Sequence, residues 1–144
     1  MKIALAESDA DIARCFPVMH QLRPHLVEAD FVARVRRMQA TGFLLAALEE
    51  KSAVRAVAGY RYMDKLFSGK TLYVDDLVTD TTARSHGHGG QLLAWLAEQA
   101  RAQACVELEL DSGVQRFDAH RFYFRERMHV SSYHFVRALK GSRG

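Results

Sequence analysis

The chain has little of what would set it apart from ordinary globular proteins. Only two cysteines, Cys15 and Cys105, occur among 144 residues. They lie far apart in no metal-ligand spacing, which excludes a disulfide framework and suits reduced thiols in a cytoplasmic protein. Only two prolines are present, with no Pro/Gly/Ser-rich linker and no fixed-period repeat, so one domain over residues 1–144 is expected. The longest apolar run, from Phe43 to Leu48, is far short of the ~20 residues that span a bilayer. The opening Lys2-Ile3-Ala4-Leu5-Ala6-Glu7 meets an acid before any apolar core of a signal peptide. No membrane partner is expected. The formal charge is only +3, too small to announce nucleic acid. The basic run Arg34-Val35-Arg36-Arg37 reads as a solvated helix face, with RNA or an acidic membrane as the alternative. With 49% apolar and 26% charged residues, disorder is excluded as the main state.

What is present falls into alternating elements. Lys2 to Ala6 reads as a short strand. Ser8 is a helix N-cap followed by first-turn acids, with Ile12, Cys15, Phe16 and Met19 at helical spacing until Arg23-Pro24. Phe31, Val35 and Met38 stripe a second helix that Thr41-Gly42 ends. Strands follow over 43–49, 54–63 and 71–78, joined by short turns as in an antiparallel meander. A helix opens at Gly87-His88-Gly89-Gly90 and a strand runs over 105–110. A helix over 117–128 and a closing strand over 129–139 complete the order β-α-α-β-β-β-α-β-α-β. This is an α+β layered domain, a mostly antiparallel mixed sheet flanked by helices.

The informative segment lies between the 71–78 strand and the next helix. Gly87, Gly89 and Gly90 stand directly before that helix. Glycines let successive N–H groups point into one concavity, and a helix N-terminus adds free donors and a positive dipole end. Together they make a pyrophosphate cradle; the alternative is a glycine-rich flexible turn. A P-loop fails for want of Lys followed by Ser or Thr. A dinucleotide fingerprint fails because Leu92 stands where it needs glycine.

The run Arg84-Ser85-His86-Gly87-His88-Gly89 is similar to the cofactor motif of the GCN5-related N-acetyltransferase family, and the order of elements agrees along nearly the whole chain. The resemblance implies an acyl-CoA N-acyltransferase fold and an acetyl-CoA site. Leu77, Val78 and Thr79 would bind the pantetheine amides through their backbone, in a gap between a bulged fourth strand and the fifth. Arg84, Ser85, His86, Gly87, His88, Gly89 and Gly90 would hold the pyrophosphate. Ala119-His120-Arg121-Phe122-Tyr123 matches the family's segment carrying a general acid, which makes Tyr123 the expected proton donor to the CoA thiolate. The alternative places Tyr123 in a core beside Phe122 and Phe124. Asp75 and Asp76 are adjacent on a strand and expected to face opposite sides. Asp75, by similarity to polyamine acetyltransferases, is the candidate for relaying the amine proton.

The sequence also departs from the family. Arg127 stands where a glycine is frequent, Met128 replaces a common Phe, and Arg116 replaces an Asn. His86 and His88, with His120, form no metal-ligand spacing, so no metal is expected and the two loop histidines are read as side chains decorating the phosphate loop. The acceptor is a small-molecule or peptide amine, with the small molecule preferred and His20, Gln21, Arg23, His25 and Glu28 in the segments that select it. The resemblance points to a homodimer. Two alternatives stand beside the enzyme: a non-catalytic acetyl-CoA-binding regulatory module, and a toxin-like transferase acting on aminoacyl-tRNA.

Overall fold

The computed structural model describes residues 1–141; residues 142–144 and the side chain of Ser85 lie outside the described part. Two compact units divide at Leu110. The first contains β1 (Lys2–Leu5), α1 (Asp9–Leu22), α2 (Glu28–Gln39), β2 (Leu44–Glu50), β3 (Ala53–Lys65), β4 (Gly69–Thr79), a 3₁₀ segment (Thr81–His86), α3 (His88–Ala102) and β5 (Glu107–Leu110). The strands line up as β1-β2-β3-β4-β5. The first four are antiparallel, whereas β5 is parallel to β4. A parallel neighbour needs a crossover, and α3 supplies it.

Alternation along the strands sorts the core. Leu45 and Val57 face α1 and α2, where they pack with Ile12, Phe16, Phe31 and Phe43. Tyr60 lies on the opposite face, its ring edge-on to Trp95 of α3 at 6.2 Å. Ser8 caps α1 as expected, its Oγ accepting from Asp11 N–H at 3.1 Å. Cys15 is part of the core beneath α1. Burial pushes its thiol up to about 12, so it packs as an unreactive apolar group.

The β3–β4 ladder changes register at one point. Gly59 pairs with Asp76 but Tyr60 pairs with Val74, leaving Asp75 as an extra residue in β4. This is a β-bulge, and it reverses which face of the sheet later residues occupy. Before it, Val74 sits opposite Tyr60; after it, Leu77 pairs with Ala58 and Val78 with Val57. Val78 thereby reaches the α1–α2 core. Gly59 makes the bulge fit, because a Cβ there would stand 2.5 Å from Phe43 Cζ and 3.0 Å from Asp76 Oδ2.

The second unit begins at Asp111 and holds α4 (Phe117–Arg125). The expected helix over 117–128 is shorter because the chain turns into the left-handed region at Arg127, where φ is 66°. The N–H of Met128 returns to the Tyr123 carbonyl at 3.0 Å, closing the helix in the way that glycine normally permits. Arg127 is thus a left-handed cap built on a side chain other than glycine. The closing strand expected over 129–139 is not formed. A strand exists only through its ladder, and the second unit offers no other strand among its described residues. The apolar side chains of that stretch remain exposed, Phe135 and Leu139 most fully.

Two outcomes follow from these backbone constraints. Gly59→Ala overpacks the bulge and destabilises the fold by roughly 1–3 kcal/mol, read as a lower urea midpoint with an unchanged slope. Arg127→Gly relieves the left-handed cap and stabilises it by about 0.5–1 kcal/mol, the strain removed being partly offset by glycine's freedom in the unfolded chain. Slower amide exchange at Met128 reads that gain.

Candidate active site

The ladder itself shows where β4 is open. Asp80 N–H donates to the Arg55 carbonyl at 2.8 Å, so the Asp80–Arg55 pair is of the hydrogen-bonded kind. Antiparallel pairs alternate. The next pair, Thr79–Ala56, and the one two further on, Leu77–Ala58, therefore direct their β4 N–H and C=O groups away from β3. On that side β5 pairs only with Thr71 to Val74. Leu77 and Thr79 consequently present backbone donors and acceptors along an edge that β5 does not reach. Val78 between them bonds to β3 and turns its side chain to the core.

The chain then enters the 3₁₀ segment, whose geometry breaks at Ala83. Asp80 caps it: the carboxylate accepts from Thr82 N–H at 3.3 Å and Thr82 Oγ1 at 3.0 Å. Gln21 at the end of α1 straddles the same joint, donating to Asp80 Oδ1 at 3.1 Å and accepting from Thr81 N–H at 3.0 Å. The Gln21 hydrogen bond, then those from Thr82, hold the Asp80 carboxyl below its ordinary range. Gly87 ends the segment with φ 76° and serves as N-cap of α3. That left-handed turn needs a glycine. The first helical amides, those of His88, Gly89 and Gly90, have no carbonyl to receive them inside α3 and point out from its positive end.

The side chains of this loop divide. Arg84 and His86 are exposed. His88 is 1% exposed, so its imidazole faces inward and cannot decorate a phosphate; only its backbone N–H remains for that purpose. The reason is helical phase, since His88 stands four residues before the buried Leu92. Ser85 lies outside the described side chains.

The acidic pair also differs from expectation. The bulge brings the Asp75 and Asp76 carboxylates to one side of the sheet, not to opposite faces, and each meets its own arginine. Arg61 donates through Nε to Asp75 Oδ1 at 3.0 Å and through Nη2 to Oδ2 at 2.6 Å. Arg23, just past α1, donates through Nε to Asp76 Oδ1 at 2.7 Å and through Nη2 to the Asp75 carbonyl at 3.3 Å. Burial raises the Asp76 carboxyl above its ordinary value, with Asp75 adding to the rise and Arg23 and Arg61 opposing it. Both acids are held in place by cations.

Tyr123 stands in the second unit, on α4. Its ring meets Phe122 edge-on at 5.3 Å. Burial raises its hydroxyl above the ordinary value, against a small opposing effect of Arg116. The phenol is therefore a proton donor throughout the neutral range. His120 of the same helix is engaged elsewhere, its Nε2 lying 2.8 Å from the Gly113 carbonyl.

Sequence reasoning missed Arg61, Asp80 and the clamping roles of Gln21 and Arg23. Asp80-Thr81-Thr82 carries an Asx-type capping signal that points to Asp80. Nothing local announces the arginines, since Arg23 lies 53 positions from Asp76.

Residues 9–129 match the model of the acetyltransferase (GNAT) family, and the chain belongs to that family; it is an N-acetyltransferase of the class that uses acetyl-CoA as co-substrate. It is 36% identical to the uncharacterized N-acetyltransferase YhdJ of Bacillus subtilis over 117 residues, covering 81% of this chain and 82% of that one. A shorter match, 41% identical over 66 residues, relates it to the aminoalkylphosphonate N-acetyltransferase of Salmonella typhimurium, covering 46% of this chain and 43% of that one. Its fold is shared with a transcriptional regulator from Bacillus halodurans at a TM-score of 0.82 and 19% identity, covering 96% of this chain and 99% of that one. Among the described residues no helix is long and apolar enough to cross a membrane.

The Asp80 joint is testable apart from activity. Asp80→Ala removes the cap and costs about 0.5–2 kcal/mol at neutral pH. A carboxyl held low in the folded state contributes stability above the unfolded value of 3.8 and loses it as the pH falls through the folded one. The stability gap between parent and variant, followed by thermal melts, therefore closes below about pH 4.

Proposed function

We propose that this chain moves the acetyl group of acetyl-CoA to the primary amine of a small molecule by direct attack in a ternary complex. The observation that carries this reading is the open β4 edge at Leu77 and Thr79 running, by way of the 3₁₀ segment, into the α3 N-terminus. Those two features match two parts of one ligand. The edge offers alternating donors and acceptors to an extended chain of amides. The free amides of His88, Gly89 and Gly90, the left-handed Gly87 and the exposed Arg84 and His86 offer an anion site; Ser85 contributes through its backbone. Bound there, acetyl-CoA supplies an activated acyl group. A β4 N–H aimed at the thioester oxygen stabilises the charge that develops on it, an effect of about 3–4 kcal/mol in comparable sites.

Two protons must move. The ammonium form of the acceptor gives one up before nitrogen attacks the carbonyl carbon. Asp75 takes this role through water or attracts the cation, with Asp76, whose carboxyl burial raises above its ordinary value, beside it. As the C–S bond breaks, Tyr123 gives its hydroxyl proton to the departing thiolate and is restored from solvent. No metal enters this sequence of steps.

The acceptor is narrowed by what is already spoken for. Gln21 and Arg23 bind Asp80 and Asp76, and His20 stacks on Phe16 at 5.1 Å, which leaves His25 and Glu28 among the expected selectors. The aminoalkylphosphonate N-acetyltransferase of Salmonella typhimurium supports a small amine over a peptide. The reading includes a reducing, cytoplasmic setting for the unpaired Cys15 and Cys105, a homodimer carried over from the family, and no nucleic-acid or membrane partner.

A panel of amines scored by release of free CoA tests the proposal. Tyr123→Phe should lower kcat by about 10²–10⁴-fold while acetyl-CoA binding, measured separately, is unchanged. Because the Tyr123 hydroxyl titrates above its usual value of about 10, the parent's rate should show no loss from this group below that pH. Unchanged turnover in the variant removes Tyr123 as the acid. Acetyl-CoA binding with no amine consumed would favour the regulatory-module reading instead.

A further inference from the structure

One cluster in the first unit joins Glu50 and the His88 imidazole, which the acetyl-transfer reading leaves unused, to His86. Glu50 at the end of β2, His86 at the end of the 3₁₀ segment and His88 at the start of α3 each bring one ligand atom within 4.8 Å of the others. The left-handed Gly87 between the two histidines folds their rings together, centroids 5.6 Å apart and nearly perpendicular. His88 is buried and poorly satisfied. Its Nε2 lies 3.4 Å from Glu50 Oε2, long for a hydrogen bond, and its Nδ1 has no partner. The long Nε2 contact leaves room for an ion between His88 and Glu50, while the unpartnered Nδ1 lies on the other side of the ring.

The same distance suits another arrangement. A tetrahedral ion with bonds of about 2.0–2.1 Å holds its ligand atoms about 3.4 Å apart, the separation already found between His88 and Glu50. Two imidazole nitrogens and one carboxylate oxygen are borderline donors that select zinc-class ions over magnesium or calcium. Three protein ligands leave the fourth position to water. The carboxylate offsets the cost of bringing a dication to the positive end of α3. The sequence hid the set because Glu50 stands 38 positions before His88, while His120, the other histidine considered, belongs to the second unit.

We infer that Glu50, His86 and His88 form a three-ligand site for a zinc-class divalent ion, tying the end of β2 to the loop that precedes α3. The site stands on these side chains, and a His86 that holds the ion is withdrawn from the anion site proposed for acetyl-CoA. Bound ion would fix His86, and with it the end of the 3₁₀ segment, against the sheet.

Cobalt(II) titration of the metal-free full-length chain reads the coordination directly. The parent should develop the intense visible bands of a four- or five-coordinate ion at one equivalent, lost on adding one equivalent of Zn²⁺, and Zn²⁺ should raise Tm. Glu50→Gln and His86→Ala alter partly exposed side chains, so both should keep the parent's circular dichroism. Each should weaken Co²⁺ binding by more than about tenfold, and the double variant should abolish the bands. Pale six-coordinate spectra in the parent, or equal affinity in the double variant from histidines elsewhere, overturn the assignment and leave a simple His88–Glu50 contact.

Discussion

The extra residue at Asp75 in β4 decides what the rest of that strand can do, because it reverses the strand's phase midway along the sheet. Up to Val74 the strand shares a face with Tyr60 and α3; beyond the bulge Val78 turns to α1 and Leu77 to the face of Ala58. Two carboxylates are left on one side, and each repels the other. Arg61 and Arg23 answer them separately, one from the neighbouring strand and one from the end of α1. Such partly buried pairs add little net stability, since desolvation cancels much of the attraction. Their effect is positional. They tie α1, β3 and β4 together at the point where β4 leaves its parallel neighbour.

That departure links the sheet to the chemistry. β5 is four residues long and matches β4 only as far as Val74, so the open edge begins where the bulge begins. A uniform β4 would carry an unpaired row of polar groups with no reason to stop there. Here the row is short, held at one end by the Arg61–Asp75 pair and at the other by Asp80 with Gln21. A rigid frame around a few unsatisfied backbone groups is what a preorganised donor site needs, because the groups need not reorient when charge develops.

Much of this frame was legible in the sequence, and the boundary between what was and was not has a physical cause. Ser8, Thr41-Gly42 and Gly87 mark helix ends by local chemistry, and each stands where it was expected. The β2–β4 meander follows from turns and alternation that a short window contains. The bulge is implied by the family resemblance, but its place at Asp75 is not, since Asp75-Asp76 reads the same with or without an extra residue. Neither are the guanidinium partners, which depend on contacts across the chain. The inward turn of His88 was readable from its spacing to Leu92 but was outweighed by its place in a glycine loop. The strand expected over 129–139 failed for another reason. Its alternation is real, but alternation describes a side-chain pattern and a strand also needs a partner for its backbone.

The same clamps bear on how this enzyme chooses an amine. Gln21 and Arg23 sit in the segment that the family resemblance offers for acceptor recognition, yet their polar atoms are committed to Asp80 and Asp76. A substrate carrying an acidic group has no free guanidinium to meet at Arg23 unless it competes with Asp76. Asp76 is already reluctant to hold charge, because burial favours its neutral form. An anionic acceptor that engages Arg23 would strip Asp76 of its best partner and make that carboxylate more basic at the moment an ammonium must be deprotonated. Recognition and proton removal would then be coupled through one arginine, while a neutral or cationic amine leaves the clamp closed and relies on the carboxylates' combined field. Both modes would act through the Arg23–Asp76 contact, which already shapes the bulge.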